Sequence, residues 1–257
     1  APGDRIGTGK IACVPGPGAD CRDVSHKWMF EHHGDLSGAK FARAKLHGAD
    51  LREVNLKNAN LRGVVLRHAD LRAAKLKGAD FSPTAQRTRI GRATPACAPA
   101  CQGADLSGAN LANANLANAN LSGANLMYAN LTGANLTKAT LTGANLGGAN
   151  LAFANLTGVV SGNISAPPSH LPSGWVFVAD YLVGPGANLS GANLSGTDLS
   201  YADLSGANLI SASLIGTNLY VADLGGANLT DVNLRSAYMV SANLIGATLT
   251  KATLTNA

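Results

Sequence analysis

The chain is poor in the residues on which an ordinary globular core depends. Of its 257 residues, only 5% are aromatic and 14% are charged. No run of about 18 apolar residues occurs, so we expect no membrane-spanning helix. Disorder is also disfavoured, because 46% of the residues are apolar and they are regularly spaced. The composition therefore favours a core built from small and medium aliphatic side chains.

Cysteine is scarce, and its four copies lie in two local pairs, Cys13 with Cys21 and Cys97 with Cys101. An even number at short spacing predicts disulfides, although spacing alone leaves three connectivities open. A zinc site is the alternative, but neither pair has the usual Cys-x2-Cys spacing. The sequence begins Ala-Pro-Gly-Asp without Met, as after removal of a signal peptide. We therefore expect a secreted or cell-surface protein.

A five-residue period dominates what is present. Leucine, or rarely Phe or Met, recurs at every fifth position from 36 to 81, from 106 to 156 and from 189 to 254. Alanine usually stands two positions earlier, Asn or Asp one position earlier, and small or polar residues follow. A fixed short period indicates a solenoid whose turns bury their apolar rows against neighbouring turns. With a corner every five residues, a four-sided coil closes in about 20 residues, with Leu and Ala pointing inward.

The run "ANLSGANLMYANLTGANL" resembles the pentapeptide-repeat family. This resemblance implies an all-β fold, a right-handed quadrilateral β-helix with four repeats per coil. About 35 repeats then give about nine coils and a rod about 43 Å long. Insertions like "GWVFVADYLVGPG" occur in secreted bacterial members of the family, so the resemblance also implies a bacterial extracellular protein.

Two breaks and one non-repetitive end divide a single continuous solenoid. Alternating apolar residues around Ala179–Asp180 predict a β-hairpin, and we expect Trp175, Phe177 and Tyr181 to pack on the rod. The predicted segments are an N-terminal cap (1–33), a first repeat block (34–81), a Cys-containing loop (82–103), a second block (104–157), a hairpin insertion (158–186) and a third block (187–257).

The basic residues are concentrated near the start of the chain. Residues 1–102 hold 17 basic and 9 acidic residues, whereas the remainder holds 3 basic and 6 acidic ones. Outward basic residues of the first block could bind a surface polyanion. The alternative is a solvated face neutralised locally by Asp50 and Asp70, and the lack of interleaved aromatics argues against nucleic acid. The candidate residues are Arg52, Lys57, Arg62, Arg67, Arg72 and Lys77.

No catalytic constellation and no cofactor motif is present, and a narrow filled solenoid offers no pocket, so we expect no enzyme activity. His26, Glu31, His32, His33 and Asp35 could be arranged around a metal, but their spacing is more typical of a solvated cap. Family members that protect DNA gyrase resemble DNA in shape and negative charge, and they dimerise through a C-terminal element. This chain departs from them because its net charge is +5 and its repeats run to the last residues.

Two features favour self-association. The repeats continue to Leu254 with no capping segment, which would leave strand edges and apolar interior exposed. Tyrosines and valines also replace the usual small residues on one face, although the Trp175 hairpin could instead cover them. The candidate contacts are Tyr201, Tyr220, Val221, Tyr238, Val240, Leu249, Leu254, Trp28 and Phe30. The sequence thus favours a non-catalytic extracellular structural protein that stacks end to end into a filament. The alternatives are a binding module for a polyanion or a protein, or a DNA mimic that protects a topoisomerase.

Overall fold

A computed structural model describes residues 6–8, 11–25, 34–81 and 103–257. Within each repeat, the amide of the inward alanine donates a hydrogen bond to the carbonyl of the preceding central residue, as from Ala134 to Leu131 at 3.0 Å. The second residue after the centre adopts a left-handed backbone, as Gly133 does with φ of 66°. Gly and Asn suit this position because they adopt positive φ at little cost. Every repeat therefore ends in a tight corner.

Successive coils are joined by short parallel bridges between residues 20 apart, such as Asn130 with Asn150. The amide of Leu131 donates to the carbonyl of Asn150 at 2.7 Å, and the amide of Asn150 donates to the carbonyl of Ala129 at 2.9 Å. Four repeats therefore complete one coil, as the period predicts. The described residues contain no helix.

The interior is formed by two apolar rows. Central leucines such as Leu131 are fully buried, and the alanines two positions earlier, such as Ala129, are equally inaccessible. Phe41 and Phe81 are the largest fully buried side chains and occupy central positions. The core is therefore as narrow as the composition predicts, with each leucine layer packing on the next.

The first break is an insertion at a single corner. Ala104 donates to the carbonyl of Phe81 at 3.0 Å, which is the turn bond that normally joins residues three apart. Val65 pairs with Asp105, a separation of 40 rather than 20 residues. The coil that ends at Phe81 is thus continued directly by the coil that begins at residue 103. Cys97 and Cys101 lie outside the described residues.

The second break contains an antiparallel hairpin of β3 (Val176–Val178) and β4 (Tyr181–Val183). Ala179 and Asp180 form its two-residue turn with φ of 46° and 63°, the left-handed geometry that matches hairpin twist. The hairpin lies between two core clusters, since Leu182 belongs to the first and Val183 to the second. Trp175 packs against both clusters.

The coiled path begins within the segment predicted as a cap. Asp20 pairs with Lys40 and Ser25 pairs with Lys45 in the same parallel register as later coils. Cys21 occupies a central position and is 1% exposed. Before it, β1 (Ile6–Thr8) and β2 (Ile11–Cys13) form a short antiparallel hairpin. The solenoid therefore extends into residues 20–25, where "ADC" retains the alanine and aspartate of the repeat but replaces its leucine.

Candidate interaction surfaces

The described residues contain no group of three or more His, Cys, Asp or Glu side chains arranged to hold a metal ion. No helix among them is long and apolar enough to cross a bilayer. The candidate metal residues between His26 and His33 lie outside the described part, as do Trp28 and Phe30. The candidate residues that the structure does describe lie on the outer faces, the corners and the exposed coil of the rod.

Cys13 and Cys21 form a disulfide with a Cα–Cα distance of 5.2 Å. Both cysteines are buried, at 6% and 1% exposure. The bond links the end of β2 to the first coil. It is one of the pairings that the spacing of the four cysteines allows.

The arginines of the first block are all neutralised by aspartates. Each guanidinium lies beside a carboxylate of its own repeat or of a neighbouring coil, so positive charge does not accumulate on the face. The pairs are Arg52–Asp50 at 2.6 Å, Arg72–Asp70 at 2.7 Å, Arg62–Asp80 at 3.8 Å and Arg67–Asp105 at 2.5 Å. This arrangement favours the locally neutralised face over an arginine ladder for polyanions.

Asp105 shows the effect of this pairing on acidity. Burial alone would raise the pKa of its carboxyl, but hydrogen bonds from Arg67 and Ser107 outweigh burial and hold the pKa below the ordinary 3.8. The Ser107 hydroxyl donates at 2.7 Å and its amide at 3.2 Å. Asp105 is therefore ionised and fully engaged in the fold.

Lysines differ from arginines in this block. Lys57, Lys75 and Lys77 are exposed, and among the described residues none of them has an ion-pair partner. They share one face of the rod, because Asn55 pairs with Lys75 and the amide of Asn58 donates to the carbonyl of Lys77. Three unpaired cations therefore lie on two adjacent coils.

An aromatic cluster, here called the tyrosine ridge, comprises Tyr201, Tyr220, Val221, Tyr238 and Val240. The rings of Tyr201 and Tyr220 meet edge to face at 5.5 Å, and those of Tyr220 and Tyr238 stack at 6.0 Å. Tyr201 is 69% exposed and Tyr238 is 54% exposed. The prediction that these residues share a face is therefore met by direct ring contacts.

The hairpin does not cover the ridge. Trp175 and Phe177 pack on the core clusters, and the Tyr181 hydroxyl accepts a hydrogen bond from the amide of Asn193. The ridge keeps the exposure of a free surface, which excludes the alternative considered from the sequence. An apolar cluster of this kind on a rod covered by Asn, Ser and Gly is typical of an interface.

Val221 adds backbone strain to the ridge. Its φ is 56°, a left-handed conformation that β-branched residues rarely adopt. Its side chain is 39% exposed, so burial of the valine offers little compensation. Glycine fills the corresponding corner at Gly206 and Gly226 of the same block. Strain retained at an exposed apolar position is typical of a functional surface.

The coil formed by residues 238–257 exposes part of its interior. Leu254 is 48% exposed, whereas Leu234, one coil earlier at the same position, is fully buried. Leu249 and Leu244 are half-buried. Leu234 donates its amide to the carbonyl of Thr253 at 2.8 Å, but no described residue accepts from the amide of Leu254. This coil therefore presents both apolar side chains and free strand edges.

Sequence comparison supports one family. A family model described as pentapeptide repeats matches the chain in 8 copies, over residues 33–82, 104–160 and 187–256. A comparison with curated proteins finds no match. The matched ranges cover nearly all of the three repeat blocks and omit most of both insertions.

Solved structures of several repeat proteins are similar to the chain. HetL, a pentapeptide repeat protein involved in heterocyst differentiation regulation in the cyanobacterium Nostoc, is 27% identical, with 91% of this chain and 88% of that chain covered and a TM-score of 0.30. A pentapeptide repeat protein of the Arabidopsis thaliana thylakoid lumen is 30% identical, with 52% and 68% covered and a TM-score of 0.23. QnrB1, a plasmid-mediated fluoroquinolone resistance protein, is 17% identical, with 85% and 92% covered and a TM-score of 0.32.

The family match and the 20-residue ladder of the rod lead to the same assignment. The chain belongs to the pentapeptide-repeat family, whose members form right-handed quadrilateral β-helices.

Proposed function

We propose that this chain is a non-catalytic structural protein that associates with itself by end-to-end stacking of its coils. The rod would comprise about nine coils, with the two insertions as accessory elements. The observation that carries the proposal is the exposure of Leu254, at 48%, where the equivalent Leu234 is fully buried. A second copy stacked on this coil would bury the same leucines in the way that each interior coil already does.

Backbone hydrogen bonding supports the same contact. In interior coils the amides of the central residues donate to the next coil at 2.7 to 2.9 Å, as Leu229 does to Thr248. The amides of Leu249 and Leu254 face away from the preceding coil and have no such acceptor among the described residues. A strand edge of this kind recruits another edge. Because head-to-tail stacking does not close on itself, it produces a filament rather than a fixed oligomer.

We propose further that the protein works outside the reducing cytosol. The support is the Cys13–Cys21 disulfide, since such bonds persist mainly in oxidising compartments. Peptide mapping by mass spectrometry under non-reducing conditions, on protein purified from its native host, tests this. A Cys13–Cys21 peptide that remains linked agrees with the proposal, and free thiols at both positions contradict it.

The stacking contact is tested by electron microscopy of the purified chain with two matched variants. Leu254→Lys places a charge in the exposed interior of the coil, whereas Thr250→Lys adds the same charge to the outer surface of that coil. We expect filaments from the parent and from Thr250→Lys, and none from Leu254→Lys. A monodisperse monomer for the parent at high concentration, or unchanged filaments from Leu254→Lys, contradicts end-to-end stacking.

Topoisomerase protection is a weaker candidate for this chain. DNA mimicry requires a predominantly negative surface, whereas the chain carries a net charge of +5. Polyanion binding is also weakened, because Arg52, Arg62, Arg67 and Arg72 are engaged with aspartates.

A further inference from the structure

One face of the rod carries opposite charges at its two ends. The face is formed by the repeats that include Lys57, Lys75 and Lys77 in the first block and Asp203 and Asp223 in the third block. Within the first two blocks, parallel bridges align Asn55, Lys75, Asn115, Asn135 and Asn155 in a single column. We call it the lysine–aspartate face.

The same face continues across the hairpin. Gly158 donates to the carbonyl of Gly186 at 2.7 Å, and Gly186 donates to the carbonyl of Ser205 at 2.8 Å. Gly158 and Gly206 end equivalent sides of their coils, with Gly186 of the hairpin coil between them. The side that contains Asp203 therefore lies above the side that ends at Gly158, one coil beyond the hairpin. Asp203 then pairs with Asp223 in the parallel ladder. The alignment therefore spans both repeat phases.

The two charged ends are chemically complementary. The three lysines have no ion-pair partner among the described residues, and Asp35 is the acid that shares their face. At the other end, among the described residues, Asp203 and Asp223 accept hydrogen bonds from neutral groups alone, namely those of Ser205, Gly225 and Asn243. Between the two ends, the column consists of the uncharged Asn115, Asn135 and Asn155 and the buried Val183, with Lys138 at the adjoining corner. Five coil steps separate Lys75 from Asp203, so the nearest opposite charges are about 24 Å apart along the rod.

The tyrosine ridge borders the acidic end. Tyr201 directly precedes the repeat of Asp203, and Tyr220 and Val221 directly precede the repeat of Asp223. Exposed tyrosine rings beside carboxylates attract ammonium groups through both charge and cation–π contact. Ile245, which is 83% exposed, extends the apolar part of the same face.

We propose that two copies of the chain pair side by side and antiparallel through this face, with the lysines of each copy against the aspartates and tyrosine ridge of the other. A two-fold axis between the repeats of Asn135 and Asn155 brings both charged ends into register at once. The contact is isologous, so it closes as a dimer. It uses surfaces distinct from the exposed coil and goes beyond the axial contact proposed above.

The size of the face sets the expected strength. A strip about 43 Å long and about 10 Å wide buries about 430 Å² per copy, before the ridge is added. This lies at the low end of specific interfaces. We therefore expect a dissociation constant in the micromolar range that weakens at least about tenfold between low and high salt, because the paired charges are exposed.

A charge-exchange experiment tests the pairing in a Leu254→Lys background, which removes axial stacking. One variant carries Lys75→Glu and Lys77→Glu, and the other carries Asp203→Lys and Asp223→Lys. Each variant alone places like charges together at both contacts and is expected to bind itself at least about tenfold more weakly than the parent. A 1:1 mixture restores attraction at both contacts, so we expect a closed dimer of the two variants by sedimentation velocity.

The matched control reverses Arg235 and Lys251 to glutamate, which changes the net charge as much as the lysine variant does but on other faces of the rod. We expect this control to dimerise like its parent. A monomeric parent, a mixture that stays monomeric, or a control as weak as the lysine variant overturns the proposal. A monomeric parent that binds heparin through the lysines also overturns it and assigns them to a polyanion. Filaments that persist in the Leu254→Lys background contradict the axial stacking contact but not the side-by-side pairing.

Discussion

Replacing Gly184 by alanine tests whether the β3–β4 hairpin is a packed joint between the two core clusters. The Trp175 ring lies directly over Gly184, and a methyl group added there would come within 2.7 Å of Cγ and closer still to Cδ2. The φ of Gly184 lies outside the left-handed region, so the substitution itself introduces no backbone strain. The expected effect is therefore confined to the displaced ring.

The magnitude follows from overpacking. Moving the Trp175 ring by about 1 Å disturbs its contacts with both clusters, and overpacking of this kind costs about 1 to 3 kcal/mol. In a Trp175→Ala background the same Gly184→Ala change should cost less than about 0.5 kcal/mol, because the obstructing ring is gone. The double-mutant coupling should then be about 1 to 3 kcal/mol.

Urea unfolding followed by far-ultraviolet circular dichroism measures these free energies. Gly16→Ala is the matched control, because a methyl group at Gly16 meets nothing within 4 Å and its φ is also outside the left-handed region. We expect the control to lie within about 0.5 kcal/mol of the parent. Equal losses at Gly184 and Gly16, or a Gly184→Ala cost that persists without Trp175, would refute the packed joint.

Three further predictions concern the coil interior, the ridge and acidity. Leu131→Ala should lower the free energy of unfolding by about 3 to 5 kcal/mol, because the Leu131 side chain is fully buried. Leu254→Ala should lower it by only about 1 kcal/mol, because Leu254 is half exposed. Equal losses of the two variants in urea unfolding would contradict this difference. Val221→Asn should raise stability by about 1 kcal/mol by relieving the left-handed valine, while weakening dimerisation in sedimentation; a loss of stability would show that the valine is not strained. The lowered pKa of Asp105 means that its pairing stabilises the fold above the ordinary pKa of 3.8 and is lost as pH falls through the lower folded value. The stability gap between the parent and Asp105→Asn should therefore be full near pH 7 and close in acid, and a gap independent of pH would contradict it.

The repeat made the fold predictable, because one local rule recurs. In every repeat the leucine and the alanine point inward in the same way, so the family and the four-sided coil can be predicted from the pentapeptide pattern. The hairpin turn at Ala179–Asp180 was also predictable from local sequence, because apolar residues alternate on both sides of these two residues. The first coil was harder to recognise, because Cys21 stands where leucine is expected, although Ala19 and Asp20 keep the flanking pattern.

Surface chemistry was less predictable, because it depends on neighbours one coil away. A basic first block could equally contain free or paired charges. Pairing of Arg52 with Asp50 was suggested by their closeness in sequence, whereas pairing of Arg67 with Asp105 depends on stacking across the insertion. The lysine–aspartate face requires the register across the hairpin, where Val160 pairs with Asn188 at a separation of 28 rather than 20 residues. No property of the sequence near Lys75 or Asp203 reveals that the two share a face.

Self-association is the central claim, and sedimentation equilibrium of the unmodified chain tests it most directly. At low ionic strength, over a hundredfold range of concentration about the micromolar level, the weight-average mass should rise steadily above the 26.0 kDa of one chain. A mass that stays at 26.0 kDa throughout that range would contradict both the axial and the lateral contact.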